Sequence, residues 1–193
     1  MYEPMQNYSL EEYWKLVEVF PERKYEYVDG NIRMMTGGSP AHGQIGARIA
    51  GLLDAALRGS ECNVYSSDVA VRVAEQRLYY PDISVSCDPH DWTRKKALEA
   101  PTVVVEVLSP TTERIDKSEK LEAYKQLPSI QEILFVDSQR HHVEHYHRIG
   151  SYKWEDSSYK SEDDVIDLAS IEVSLTVHDI YFKVYLELEE AES

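Results

Sequence analysis

The sequence predicts an α/β fold, a mixed β-sheet flanked by helices, and three observations point there. Helical and strand-like patterns follow the order helix, hairpin, helix, several strands, helix, strand, which is that of an α/β domain. Thr102 to Leu108 is rich in valine, with Val103, Val104, Val105 and Val107, as in a central strand buried on both faces. No Gly-rich phosphate loop is present, which argues against a nucleotide-binding Rossmann or P-loop domain.

Taken in order, the elements have local reasons. Ser9 and Glu12 have capping-box spacing, so a helix is expected over Leu10–Phe20, with Leu10, Trp14, Leu16, Val17 and Phe20 as its apolar stripe and Pro21 as its stop. Lys24–Val28 and Asn31–Met35 read as two strands joined by Asp29-Gly30, a strong hairpin signal closed by Gly37-Gly38. Ile45, Ile49, Leu52, Leu53, Ala56 and Leu57 recur at helical spacing from Pro40, and Gly59 stops them. Asn63–Val73 suggests one or two strands. Ile83, Val85 and Cys87 alternate in another, which Asp88-Pro89 breaks. His90–Ala100 reads as a loop with a helical turn.

After the valine strand, Ser109-Pro110 forms a break, and Thr111 or Thr112 can cap a helix to about Gln126. Glu132–Val136 reads as a buried strand, Asp137–Arg140 as a turn, and His141–Arg148 as the strand that follows. Tyr152–Trp154 and Asp164–Leu168 read as short strands, and Thr176–Tyr185 as a closing helix. From about residue 187 an acidic tail is expected, with Glu187, Glu189, Glu190 and Glu192. No repeat or linker divides the 193 residues, so one domain over 1–193 is expected.

Composition narrows the function classes. The net charge of −15 opposes a general DNA-coating role, because phosphate binding draws on clustered Lys and Arg. A nuclease of this charge needs a local basic rim, a bound cation or a partner. No run approaches 18 apolar residues, so no membrane span is expected, and MYEPMQNYSLEEYW does not read as a secretory signal. Cys62 and Cys87 form no CxxC pair and are too few for a disulfide framework. A reducing cytoplasm is the default location.

Two acids stand out of place in apolar strands. In Val103–Leu108, Glu106 shares a face with Val104 and Leu108, and a carboxylate there is costly to bury unless something pairs with it. Asp82 begins the Ile83 strand on the face opposite Ile83. If the two strands are neighbours, the acids meet at one end of the sheet. Lys120 lies on the helix that follows, one turn after Asp116. Carboxylates hold Mg²⁺ or Mn²⁺, the ion activates water, and a lysine steadies the anionic transition state, so the set has the parts for phosphodiester hydrolysis.

Those residues resemble the PD-(D/E)xK nuclease superfamily and, more closely, its Uma-type restriction endonuclease family. The matching pieces are Tyr25 to Ile32, His42 after Gly37-Gly38, Tyr80-Pro81-Asp82-Ile83, Val105 to Pro110, and Asp116 to Tyr124. The resemblance implies a restriction endonuclease-like core and a Mg²⁺-dependent endonuclease acting on DNA. It implies Asp82, Glu106 and Lys120 as catalytic residues and Asp82, Glu106 and Glu26 as metal ligands. Glu26, His42, Asp116 and Tyr124 would support them. The usual lysine, two residues after the second acid, is replaced by Leu108, and Lys120 matches a lysine moved to the next helix. A homodimer follows by analogy with related restriction nucleases. An inactive nuclease-fold domain used for binding or regulation is the alternative, favoured by Leu108 and the acidic charge.

Blander roles stand beside these. Asp82 can cap a turn after Pro81, and Glu106 can sit in a buried ion pair. Lys120 can pair with Asp116 in solvent, Glu26 can face solvent beside the hairpin, and His42 can be a surface residue at a helix start, with Gln44 as its neighbour. His141, His145 and His147 share a strand face, but strung out along it rather than converging, so an edge or solvent-facing strand is expected instead of a zinc site. Arg94-Lys95-Lys96 is the dense basic cluster, a solvated loop or part of a nucleic-acid rim. Ser109 lacks a GxSxG context, so a serine hydrolase is not expected.

Overall fold

The computed structural model describes residues 7–35, 37–110 and 113–186. The proposed cap at Thr111 or Thr112 and the acidic tail from 187 lie outside them. The chain opens with helix α1 (Leu10–Val19), whose Ser9 and Glu12 form the capping box in both directions. Its most buried residue is Tyr13, absent from the stripe read from sequence, whose hydroxyl donates to the Tyr25 carbonyl at 2.8 Å. Strands β1 (Tyr25–Val28) and β2 (Asn31–Met34) form the hairpin. Its turn holds Asp29 at φ 49° and Gly30 at φ 85°, the left-handed pair that a two-residue hairpin loop demands.

Helix α2 (Pro40–Ala56) starts on Ser39, whose side chain accepts from the His42 N–H, with Pro40 in the first turn where no amide donor is needed. Strands β3 (Asn63–Ser66), β4 (Ala70–Ala74), β5 (Arg77–Tyr79) and β6 (Ile83–Ser86) follow. The loop after β6 contains a 3₁₀ turn (Asp91–Thr93) and a two-residue strand, β7 (Ala97–Leu98). Strand β8 (Val103–Leu108) is buried at every position, as its valines demand.

The helix after β8 is not uniform. It runs as α3 (Glu113–Ile115), a π turn (Asp116–Lys120) and α4 (Leu121–Gln126), and the Leu121 N–H donates five residues back to the Asp116 carbonyl. Strands β9 (Glu132–Asp137), β10 (Val143–Gly150) and β11 (Lys153–Tyr159) form a meander. A ribbon of β12 (Val165–Leu168) and β13 (Val173–Thr176), linked by a 3₁₀ turn (Ala169–Ile171), leads into α5 (Val177–Tyr181). The expected closing helix is therefore shorter, because Thr176 ends a strand and caps the helix through its side chain.

The strands form a five-stranded sheet, β2-β1-β5-β4-β7, a six-stranded sheet, β11-β10-β9-β8-β6-β3, and the ribbon. β8 and β9 run parallel with the α3–α4 segment as their crossover, and β4 and β7 are also parallel. The six-stranded sheet is covered on both faces. Its reverse face, with Val103, Val105, Val107, Ile83, Val85, Leu134 and Val136, packs on α2, the ribbon and α5. Its front face, with Val104, Leu108, Ile133 and Phe135, packs on Leu121 and Tyr124 of α4 and on Val28, Val71 and Tyr79 of the five-stranded sheet. Glu106 is on this front face, between the sheets.

Cys62 and Cys87 are joined in a disulfide, which sequence reading did not expect. Tertiary register is the reason. β3 and β6 are antiparallel with Asn63 opposite Ser86, so the next residue out on each strand meets the other, with Cα atoms 4.0 Å apart. Among the described residues, no helix is long and apolar enough to cross a membrane.

Candidate active site

The centre of the site is the Lys120 ammonium, turned inward by the π turn and only 5% exposed. Its Nζ lies 3.0 Å from Glu106 Oε1 on β8, 3.0 Å from Glu26 Oε1 on β1 and 3.2 Å from Asp116 Oδ1 one turn earlier. The three carboxylates come from the six-stranded sheet, the five-stranded sheet and the π turn of the crossover, and all are buried. Tyr124, wholly buried on α4, donates its hydroxyl to Glu106 Oε1 at 2.5 Å. Glu26 Oε1 is buried and, although close to the ammonium, accepts no aligned hydrogen bond.

The electrostatics follow from this crowding. Burial pushes the Glu106 carboxyl well above the usual carboxylate range; Asp116 and Asp82 add to the shift, while Lys120 and Tyr124 oppose it. Burial disfavours the Lys120 charge, but Glu106, Glu26 and Asp116 outweigh that and hold its proton more tightly than normal. Burial and the Glu106 charge raise the Tyr124 hydroxyl, keeping it a donor.

Asp82 sits at the edge of this cluster. β6 and β8 pair antiparallel with Ile83 opposite Val105, so one residue back along β6 brings Asp82 beside Glu106. Its Oδ2 accepts the Val107 N–H at 2.7 Å and lies 3.4 Å from His42 Nε2. That carboxylate bond raises the affinity of His42 for its proton, against the effect of partial burial. Asp82 and His42 also line an open groove of roughly 730 Å³ between the β1–β2 hairpin and α2, with Arg23, Lys24, Gly43 and Gly46 on its walls. Glu106 and Lys120 are buried and do not line that groove.

Tertiary structure thus brings Asp82, Glu106, Lys120, Glu26, Asp116, Tyr124 and His42 into one region. Glu26 does not face solvent, since alternation along β1 puts it with Val28 between the sheets. Lys120 and Asp116 pair in a buried cluster rather than in water. Gln44 is not part of the site; its side chain donates to the Lys183 carbonyl at 2.9 Å. Arg94 offers no free rim charge, because Asp91 and Glu99 take up its guanidinium, and Lys96 lies over the Trp14 ring.

Sequence reading missed the clamp that aims the lysine. Arg33 on β2 makes a two-pronged pair with Glu119, at 2.8 Å for each prong, and the Tyr79 hydroxyl donates to Glu119 at 3.1 Å. Glu119 precedes Lys120, so the pair fastens the π turn to the five-stranded sheet. No short-range pattern signals a partner 86 residues away. The histidine run was also misread. β10 lies inside its sheet, between β9 and β11, and His145 and His147 converge on Glu132 of β9 instead of standing apart. His141 points elsewhere, stacked near Tyr181.

Known proteins resemble this chain in sequence and in fold. Residues 10–178 match the Uma2 family model, described as "Putative restriction endonuclease". Two proteins of Synechocystis sp. are similar: uncharacterized protein slr1290, 36% identical over 92% of this chain and 93% of its own length, and uncharacterized protein sll1609, 30% identical over 68% and 76%. The fold is shared with a crystal structure from Anabaena variabilis described as "a putative nuclease belonging to DUF820", at a TM-score of 0.69 and 18% identity, covering 83% of this chain and 90% of that one.

Proposed function

The chain belongs to the Uma2 family, and from that premise we propose that it is a Mg²⁺- or Mn²⁺-dependent endonuclease that hydrolyses DNA phosphodiester bonds. The observation that carries the reading is the buried Lys120 ammonium in contact with Glu106, Glu26 and Asp116, beside Asp82. The donors are carboxylate oxygens, the ligand type that a hard divalent ion takes. Carboxylates outnumber the ammonium three to one around Nζ, and Glu26 Oε1 is buried with no aligned hydrogen bond to satisfy it.

Asp82, Glu106 and Glu26 would hold the ion, which would supply a water acidified at neutral pH and a clamp on a phosphate oxygen. Lys120 would stand in for the strand lysine that Leu108 replaces and present fixed positive charge to an anionic transition state. Asp116 and the Arg33–Glu119 pair hold that ammonium in place. Tyr124 orients the Glu106 carboxylate, and His42 orients Asp82 at the groove through which a phosphate backbone approaches. A homodimer is carried over by analogy with related nucleases.

The test is cleavage of plasmid and linear DNA with Mg²⁺ or Mn²⁺, comparing wild type with Asp82→Ala, Glu106→Ala and Lys120→Ala. Cleavage by the wild type that falls at least about a thousandfold in each folded variant is expected. A second reading, a nuclease-fold binding module, draws on one feature: Glu106 and Lys120 are buried and do not line the groove, and their charges already satisfy one another. Retained DNA binding with no cleavage under either ion would select it.

A further inference from the structure

We propose that Glu132, His145 and His147 form a second metal site, for a first-row transition ion of the Zn²⁺ class, on the reverse face of the six-stranded sheet. This site is separate from the Lys120 cluster. Val103 pairs with Glu132 and Glu106 with Phe135 across β8 and β9, so alternation puts Glu132 and Glu106 on opposite faces. On β10, His147 is directly opposite Glu132, and His145 is two residues away on the same face.

The donors already converge. One carboxylate oxygen and one ring nitrogen from each histidine all lie within 4.8 Å of one another. His147 Nδ1 is 3.3 Å from Glu132 Oε1, and His145 Nε2 contacts Glu132 Oε2 directly. Two donors on a tetrahedral ion at about 2.0–2.2 Å stand about 3.3–3.6 Å apart, so the His147–Glu132 spacing suits coordination.

An ion pair between Glu132 and His145 accounts for only two of the three groups. His147 Nδ1 is left buried, without a hydrogen-bond partner, and turned toward the same carboxylate. The carboxylate is also braced from behind, as metal-binding carboxylates are, because the Ser170 N–H donates to Glu132 Oε1 at 2.9 Å. The His147 side chain is a third exposed, which leaves an entry path.

Ligand chemistry selects the ion. Two imidazoles and a carboxylate favour Zn²⁺, Co²⁺ or Ni²⁺ over Mg²⁺, which prefers oxygen ligands and keeps its waters. An ion bound there would fasten β9 and β10 to the Ala169–Ile171 turn, where Ser170 lies, and so tie the ribbon and α5 to the sheet.

The experiment is calorimetric titration of the full-length, metal-stripped protein with Zn²⁺ in excess Mg²⁺, with Co²⁺ visible absorption as a second readout. Binding of about one equivalent of Zn²⁺ is expected, with a rise in thermal midpoint. His147→Ala and His145→Ala should weaken it by about a hundredfold or more, and Glu106→Ala should leave it intact. Because His147 is partly exposed, its variant should stay folded even if the His145 variant does not. The proposal is overturned if wild type takes up no Zn²⁺, if His147→Ala binds it equally well, or if Glu106→Ala abolishes binding.

Discussion

The two faces of the six-stranded sheet each bury a glutamate, and they neutralise it by different means. On the front face, Glu106 meets an ammonium, a tyrosine hydroxyl and the field of further acids. On the reverse face, Glu132 meets two imidazoles and a backbone N–H. A buried carboxylate is tolerated only when paired, but the partner decides what else the site can hold. Oxygen donors around a fixed lysine favour a hard cation and an anionic substrate. Imidazole donors favour a transition ion and need no substrate. One sheet can therefore present two sites of different chemistry some tens of residues apart in sequence.

The largest break in that comparison should come from Lys120→Met. It leaves Glu26, Glu106 and Asp116 buried around an apolar group, and a loss of about 3–5 kcal/mol is expected in urea unfolding. A loss below about 1 kcal/mol would mean that the acids share protons and that the lysine is not what neutralises the front face. Tyr124→Phe is a sharper and smaller probe. It removes one hydrogen bond to Glu106, for about 1.5–3 kcal/mol, with little change in packing volume.

The smallest effect concerns the clamp on the π turn. Arg33 and Tyr79 lower the Glu119 carboxyl despite the opposing effect of burial. A depressed carboxylate pKa means that the unfolded chain binds the proton more readily. The clamp's contribution is then present above the ordinary glutamate range near 4.5 and is lost as pH falls through the lowered folded value. The pair is partly exposed, so Glu119→Gln should cost only about 1 kcal/mol at neutral pH, and its stability profile should converge with that of wild type in acid. Parallel profiles down to pH 3 would show that the pair contributes nothing to the turn.

Elements with local causes were legible in the sequence. The Ser9–Glu12 box, the Asp29-Gly30 turn and the Ser39-Pro40 helix start all appear where their short-range chemistry puts them. Glu106 stood out because an acid inside a valine strand contradicts its surroundings, and the structure buries it with a charged partner. What stayed hidden depended on partners far along the chain. β5 is three residues long with no alternation of its own, and β13 alternates but over four residues only, too few to stand out without its partner β12. The π turn is a backbone adjustment with no residue signature. Glu132 looked like an ordinary buried strand position until β10 was laid beside it.

By itself, the sequence determined the helix caps, the hairpin, the central strand and the resemblance that singled out Asp82, Glu106 and Lys120. These depend on contacts within a few residues or on the solvation cost of single side chains, and such terms are written locally. Tertiary structure alone decided that Lys120 points inward to three carboxylates, that Arg33 holds its turn, and that two histidines converge on Glu132. Register between strands set these juxtapositions. Shifting a strand by one residue moves every side chain to the opposite face, so pairing, not composition, chooses which charges meet.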